Sequence, residues 1–242
     1  VNIVSALRVL FRFWKEEHIL GRDFDQFFES FRVRHPERIP SFFTKDEVMR
    51  IEDSISRSSA VGKRNYAMTL LASRLGLRAS DIANLRFNQI DWDNNLITLT
   101  MQKTRKVIQL PLLAEVGNAI IDYLRNGRPK TELDQVFISS RAPYIGATKS
   151  CVCAAIQNAI ITSGVDVNLK HHGPHSLRHS LASAMLHEES SLPVISESLG
   201  HRHTDTTMVY LKIDIPSLMK CALAVPAVSD GFYTQRGGAF YE

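Results

Sequence analysis

The sequence predicts a mainly α-helical fold carrying a small antiparallel β-sheet, an α+β class. Most apolar stretches recur at three- and four-residue steps, the period of helices packed on a core. One pair of segments, "LITLTM" and "KVIQL", instead alternates around the basic turn "QKTRK" as a hairpin does. Apolar residues make up 44% and charged residues 22% of 242 positions, which supplies an ordinary globular core and argues against wholesale disorder.

The first predicted helix is "VNIVSALRVLFRFW", in which Ile3, Val4, Leu7, Leu10, Phe11 and Trp14 form one stripe. An aromatic-rich stretch "FDQFFESF" follows, and "RVRHPERIP", with two prolines and dense charge, reads as a linker. About forty residues make a poor independent domain, so residues 1–40 are expected to be the end of something larger. The first residue is Val1 rather than methionine, which fits a piece of a longer polypeptide.

The main body opens at "TKDEVMRIEDSI", where Thr44 and Glu47 have capping-box spacing. "NYAMTLLASRLGL" is a helix that its composition buries, and "SDIANL" starts a short one with Ser80 as expected N-cap. After the hairpin, helices return in "LAEVGNAIIDYLR", "SCVCAAIQNAII", "PHSLRHSLASAML", "LPVISESL", "TDTTMVYL" and "IPSLMKCAL". Pro174 suits a first helical turn, and at about 100° per residue Leu177, Leu181, Ala184 and Met185 should form the core face of that helix. His175 and Arg178 fall just outside that arc. The expected division is thus 1–40, a body over 41–225, and a glycine- and aromatic-bearing tail over 226–242.

A net charge of +4 permits a nucleic-acid partner without demanding one. Three cysteines without a C-x-x-C pair exclude a disulfide framework and a four-cysteine zinc site, and fit a reducing, cytoplasmic setting. No apolar run reaches membrane-span length and the N-terminus is no export signal, so no membrane partner is expected.

Four stretches hold residues able to do chemistry. Arg78, before a short helix, can grip an anion together with that helix's N–H groups, with Asp81 holding its fork; a surface Arg–Asp pair is the ordinary alternative. Lys103, Arg105 and Lys106 cluster on the hairpin tip, where a polyanion's groove is in reach and solvated charge is also common. His175 and Arg178 project from one helix. "LGHRHTDTTMVY" ends a helix at Gly200, presents His201, and carries Tyr210 nine residues later. A phenol, with an ordinary pKa of about 10, needs a base and cations nearby before it acts as a nucleophile. His171, His172, His175 and His179 also crowd one segment, with His175 and His179 at zinc-ligand spacing. Without an H-E-x-x-H or paired cysteines no metal site is expected, and His179 reads as a structural hydrogen-bonding residue.

Taken in order, "LGLRASDIANL", the lysine of "QKTRK", "PHSLRHSLASAM" and "LGHRHTDTTMVY" resemble the tyrosine recombinase (phage integrase) family over residues from about 41 to about 215. The resemblance implies that fold's catalytic domain and a role for each residue. Arg78 and Arg178 would hold the scissile phosphate, and His201 would hydrogen-bond to it. Lys103 would protonate the leaving 5′ oxygen, and His175 would assist proton movement at the nucleophile. Tyr210 would attack phosphorus and join the DNA 3′ end, with Arg105 and Lys106 on DNA. It implies strand cleavage and rejoining at specific sites, for integration or excision of a mobile element, by a tetramer on double-stranded DNA, and admits accessory DNA-bending proteins. A topoisomerase of the type IB kind and a catalytically silent DNA-binding relative are the alternatives. Exchanging one phosphodiester for another conserves bond energy, and no G-x-x-x-x-G-K-[ST] loop is present, so no cofactor is expected. Residues 1–40 resemble only the last helix or two of the family's N-terminal core-binding domain, which implies a truncated chain. The tail is allowed by the resemblance to dock on a neighbouring protomer, and its Tyr233 and Tyr241 lack basic companions.

Overall fold

The computed structural model describes residues 2–19, 41–167, 172–201 and 207. The chain divides into two units, Val1–Ile39 and Pro40–Glu242. In the first, helix α1 (Asn2–Glu16) forms as its periodicity predicts, with Phe11 and Trp14 edge to face at 5.5 Å. "FDQFFESF", the linker stretch, "TDTTMVYL" apart from Thr207, "IPSLMKCAL" and the tail lie outside the described residues.

The second unit is organised around α3 (Ala60–Arg74), whose Ala67, Met68, Leu70, Leu71 and Ala72 are buried. Before it stands α2 (Lys45–Asp53), started by the predicted capping box: the Thr44 hydroxyl accepts from Glu47 N–H while Glu47 Oε2 accepts from Thr44 N–H at 2.8 Å. After it come α4 (Ala79–Ala83) and a three-stranded sheet of β1 (Ile90–Asp91), β2 (Leu96–Thr100) and β3 (Val107–Pro111). Then follow α5 (Ala114–Asn126), α6 (Lys149–Thr162), α7 (Pro174–His187) and α8 (Leu192–Ser198). Helices α5, α6 and α7 all pack on α3, and α4 packs on α6.

The predicted hairpin is β2–β3, antiparallel, with Ile97 opposite Leu110 and Leu99 opposite Ile108. Those four side chains are buried, while Thr98, Thr100, Val107 and Gln109 face out, as a period of two requires for one covered face. The two-residue β1 adds an edge strand that the sequence pattern is too short to announce.

Two expectations need correction. The N-cap of α4 is Arg78 rather than Ser80: its backbone is extended (φ −74°, ψ 150°) and its carbonyl already accepts from Asp81 and Ile82 N–H. The inward face of α7 is also wider than the apolar arc, of which Leu177 is buried and Leu181 and Met185 pack against core residues. Pro174, Ser176, Leu177, Arg178, Ser180 and Ala182 are buried, whereas Ala184 is exposed. The inward polar groups serve neighbouring backbone: Ser180 Oγ accepts from Phe43 N–H at 2.7 Å and donates to Ser176 carbonyl at 2.8 Å. Hydrophobic periodicity cannot register a face built to satisfy other elements' polar groups.

Candidate active site

Two helix ends create the site. The C-terminus of α3 turns at Gly76 (φ +62°) and delivers Arg78 two residues later. The C-terminus of α8 turns at Gly200 (φ +59°) and delivers His201. At that second end His201 N–H donates to Ser196 carbonyl at 2.9 Å and Gly200 N–H to Glu197 carbonyl at 2.8 Å, the paired bonds of a Schellman motif. A left-handed residue is required at position 200, and glycine meets that requirement at least cost.

Arg178, on α7, joins the two ends. Its Nη1 donates to Gly76 carbonyl at 2.6 Å and its Nη2 donates to Leu199 carbonyl. The guanidinium is 4% exposed, and its planar fork spans both carbonyls as a point-charge ammonium would not. Arg78 Nη1 lies 3.3 Å from Met101 Sδ at the end of β2, so the hairpin backs the first guanidinium.

The hairpin tip is tied in twice. Gln102 N–H donates to Asp81 Oδ1 at 2.8 Å, and Thr104 Oγ1 donates to Gly200 carbonyl at 3.4 Å. Between those tethers sits Lys103, exposed, with Arg105 (φ +57°) and Lys106 exposed beyond it. Asp81 is 4% exposed rather than part of a surface pair. Burial raises its pKa, opposed by the bond from Gln102 and by the charges of Arg78 and Arg178. Its Oδ2 is buried with no hydrogen-bond partner among the described residues.

Electrostatics show which groups share this space. The His175 ring is held below its ordinary pKa by desolvation, then by the charges of Arg178, Arg78, Lys103 and Lys149. The His201 ring, 6% exposed, is held down at about 4 by desolvation, then by Arg178, Arg78 and His179. His179 is likewise lowered to about 4 by burial, His175 and Arg178. Burial and neighbouring guanidinium charge thus push all three imidazoles toward the neutral form. His201 Nδ1 is 2.8 Å from Thr207 Oγ1, and Thr207 is fully buried. What this arrangement offers is a cluster of fixed cations and neutral imidazoles suited to a doubly oxygenated anion such as a phosphodiester.

The sequence profile of the phage integrase family matches residues 41–215. The chain belongs to that family. This phage integrase relative is 40% identical over 189 residues to y4rA of Sinorhizobium fredii, covering 78% of this chain and 45% of that protein. It is 35% identical over 189 residues to y4gC of the same organism, covering 78% of this chain and 97% of that protein. The tyrosine recombinase XerC of Anoxybacillus flavithermus is 29% identical over 216 residues, 87% of this chain and 69% of the relative. The chain thus spans about half the length of the first of these relatives. In fold it resembles the XerA recombinase, with a TM-score of 0.64 at 24% identity over 81% of this chain and 70% of that one. It also resembles the Tn1549 transposon integrase, with a TM-score of 0.65 at 16% identity over 91% of this chain and 78% of that one.

Of the residues singled out in the sequence, Arg78, Lys103, His175, Arg178 and His201 come together in this integrase domain. Tyr210 and His171 lie outside the described residues. Among the described residues no group of three or more His, Cys, Asp or Glu is placed to hold a metal ion, and no helix is long and apolar enough to cross a membrane. Sequence reasoning missed Met101, Lys149 and Thr207. A lysine opening α6 and a methionine closing β2 carry no motif. Thr207 stands in "TDTTMVYL", which read as a helix carrying Tyr210, with no role for the threonine itself.

Proposed function

We propose that the chain is the catalytic part of a site-specific DNA recombinase that cleaves and rejoins strands through a covalent 3′-phosphotyrosyl intermediate. The observation that carries this reading is that Arg178 donates to the Gly76 and Leu199 carbonyls, two residues from Arg78 and from His201, while bonds from Gln102 and Thr104 tie the hairpin tip that carries Lys103 to Asp81 and Gly200. In the proposed reaction, Arg78 and Arg178 bind the non-bridging oxygens and offset the charge that grows as phosphorus becomes pentavalent. Tyr210 Oη attacks phosphorus, and its proton passes to His175, whose neutral ring is able to accept it. The bond from phosphorus to the 5′ oxygen breaks, and Lys103 protonates the departing oxygen. His201 donates a hydrogen bond to the phosphate. Rejoining reverses these steps with a new 5′ hydroxyl, so phosphodiester bonds are conserved throughout.

Double-stranded DNA is the proposed substrate, with Arg105 and Lys106 holding its backbone from the hairpin tip. Among fold neighbours, the XerH recombinase is bound to a difH substrate, and a lambda integrase dimer is bound to a COC′ core site. These support DNA and assembly on it; a tetramer spanning two sites, with accessory DNA-bending proteins, is the finer proposal. Integration or excision of a mobile element is the proposed setting.

The test is a nicked duplex that carries the recombination site, selected from a random-sequence library by binding. Wild type should leave a covalent protein–DNA band on a denaturing gel, and Tyr210→Phe none. Lys103→Ala should cleave slowly, and a 5′-bridging sulfur should restore its rate, because a thiolate leaves without an acid. No adduct from wild type on any selected site sinks the proposal. Relaxation of supercoiled plasmid without a site would favour the topoisomerase alternative.

A further inference from the structure

We propose that Thr207 is a positioning residue that sets the tautomer of His201: its hydroxyl donates to Nδ1, so the ring's single proton stays on Nε2 and is offered to the phosphate. The inference rests on the recombinase reading for the identity of the anion, but its central observable does not.

The geometry supplies the pieces. His201 Nδ1 and Thr207 Oγ1 are 2.8 Å apart, both residues are buried, and no solvent competes for the bond. The backbone of His201 is fixed by its own bond to Ser196 carbonyl, and the preceding carbonyl, Gly200, accepts from Thr104. The ring is therefore held by the chain at one end and by Thr207 at one nitrogen, which leaves little freedom to flip.

The direction of the bond follows from what the other nitrogen must do. A neutral imidazole has one N–H donor and one acceptor, and the hydrogen bond at one nitrogen decides which is which. An anion seated between Arg78 and Arg178 only accepts. A bare Nε2 lone pair turned toward it would repel it, whereas an Nε2–H would bind it. Nδ1 must then be the acceptor, and a threonine hydroxyl is a donor able to satisfy it. Burial and the flanking guanidiniums keep the ring from taking a second proton at neutral pH, so the choice between tautomers is real. A cationic ring would donate from both nitrogens and make Thr207 irrelevant.

The experiment uses the full chain with 15N-labelled histidine, observed by long-range proton–nitrogen correlation at pH 7.5. His201 is assigned by the peak lost in His201→Gln. Wild type and Thr207→Ser should show the Nε2–H pattern, and Thr207→Val, which keeps the shape and lacks the donor, should show mixed tautomers. On the nicked substrate Thr207→Val should cleave about tenfold or more slowly, as loss of tautomer control does in other imidazole-dependent enzymes, while Thr207→Ser stays close to wild type. An Nδ1–H pattern in wild type overturns the proposal, as does an unchanged tautomer and rate in Thr207→Val. If Thr207→Val does not fold, the wild-type and serine spectra decide. An Nε2–H ring without any covalent adduct would count against the recombinase reading and leave the tautomer assignment standing.

Discussion

Replacing Gly200 by alanine should cost the domain far more than the loss of a flexible residue. Two effects combine. The backbone sits at φ +59°, where an L side chain is disfavoured by roughly 1–2 kcal/mol. An added Cβ would also stand 2.1 Å from Met101 Sδ and 3.1 Å from Ile108 Cγ2, so the buried Met101 side chain must leave its place; overpacking of this kind costs about 1–3 kcal/mol. The sum is about 2–5 kcal/mol. Gly164 provides the control, since it has a similar φ of +66° and nothing within 4 Å of a built Cβ. Gly164→Ala should therefore show the backbone cost alone, roughly 1–2 kcal/mol. Urea denaturation of both variants separates the two contributions. Met101→Ala in the Gly200→Ala background should recover part of the loss, a non-additivity that a double-mutant cycle reads directly. Because Met101 Sδ backs Arg78 Nη1, Gly200→Ala should also slow strand cleavage at temperatures where the variant is fully folded. Equal losses for the two glycine variants, with no recovery from Met101→Ala, would refute the close approach between α8 and the hairpin.

Acid should destabilise the free protein before carboxylates titrate. His201 titrates at about 4 when folded against 6.5 when unfolded, so the unfolded chain binds more protons in between; its contribution, roughly 3 kcal/mol, is fully present above pH 6.5 and lost as pH falls toward 4. Urea midpoints at pH 7.5 and 5.0 check this, and His201→Gln should shrink the difference by this share, leaving the part that the lowered His179 and His175 supply. Asp81→Asn should keep the bond to Gln102 N–H and Asp81→Leu should break it, at a cost of about 1–3 kcal/mol, with faster amide exchange at Gln102 as the readout. Arg178→Lys should lose about 2 kcal/mol or more, because one ammonium does not reach both the Gly76 and Leu199 carbonyls and an unsatisfied buried carbonyl costs about 1–3 kcal/mol; retention of wild-type stability would mean the fork is dispensable.

The candidate site residues stood out in the sequence because their types and order carry the signal. An arginine ahead of a short helix, a lysine on a hairpin tip, H-x-x-R, and a histidine after a helix-ending glycine do not depend on knowing the packing. The hairpin itself was legible down to its buried face, since Ile97, Leu99, Ile108 and Leu110 obey a period of two. What was not legible is what holds these groups. Asp81 read as a partner for Arg78, holding its fork or forming a surface pair, and only the approach of the hairpin makes it a buried acceptor for Gln102. The inward face of α7 extends beyond its apolar arc because Arg178 and Ser180 are buried to satisfy partners far away in sequence. Thr207 was one more residue of a helical stretch, and only its hydroxyl against His201 gives it a part in the site. In each case the missing information is a contact across the fold, which neither propensity nor periodicity encodes.

That difference points to how the site is built. Arg78 and His201 each follow a helix that stops on a left-handed glycine, and Arg178 grips one carbonyl at each turn, that of Gly76 itself and that of Leu199 just before Gly200. One guanidinium thus fixes the separation of the two loops that carry its companions. A phosphate-binding site made from three cationic or donor groups on independent loops would need to organise them each time substrate arrived, and that reorganisation would subtract from transition-state stabilisation. Here the organising bonds are made to backbone carbonyls, so they exist before any anion is bound. The same arrangement explains why burial of Arg178 is tolerable: its guanidinium donates to a backbone carbonyl at the C-terminal end of each helix, whose partial negative charge it offsets. It follows that the order of importance among the cations is not set by closeness to the substrate alone. Loss of Arg78 should remove one ligand from the phosphate, whereas loss of Arg178 should also release the geometry of Arg78 and His201, and its effect on cleavage should exceed that of Arg78 by more than its own contacts account for.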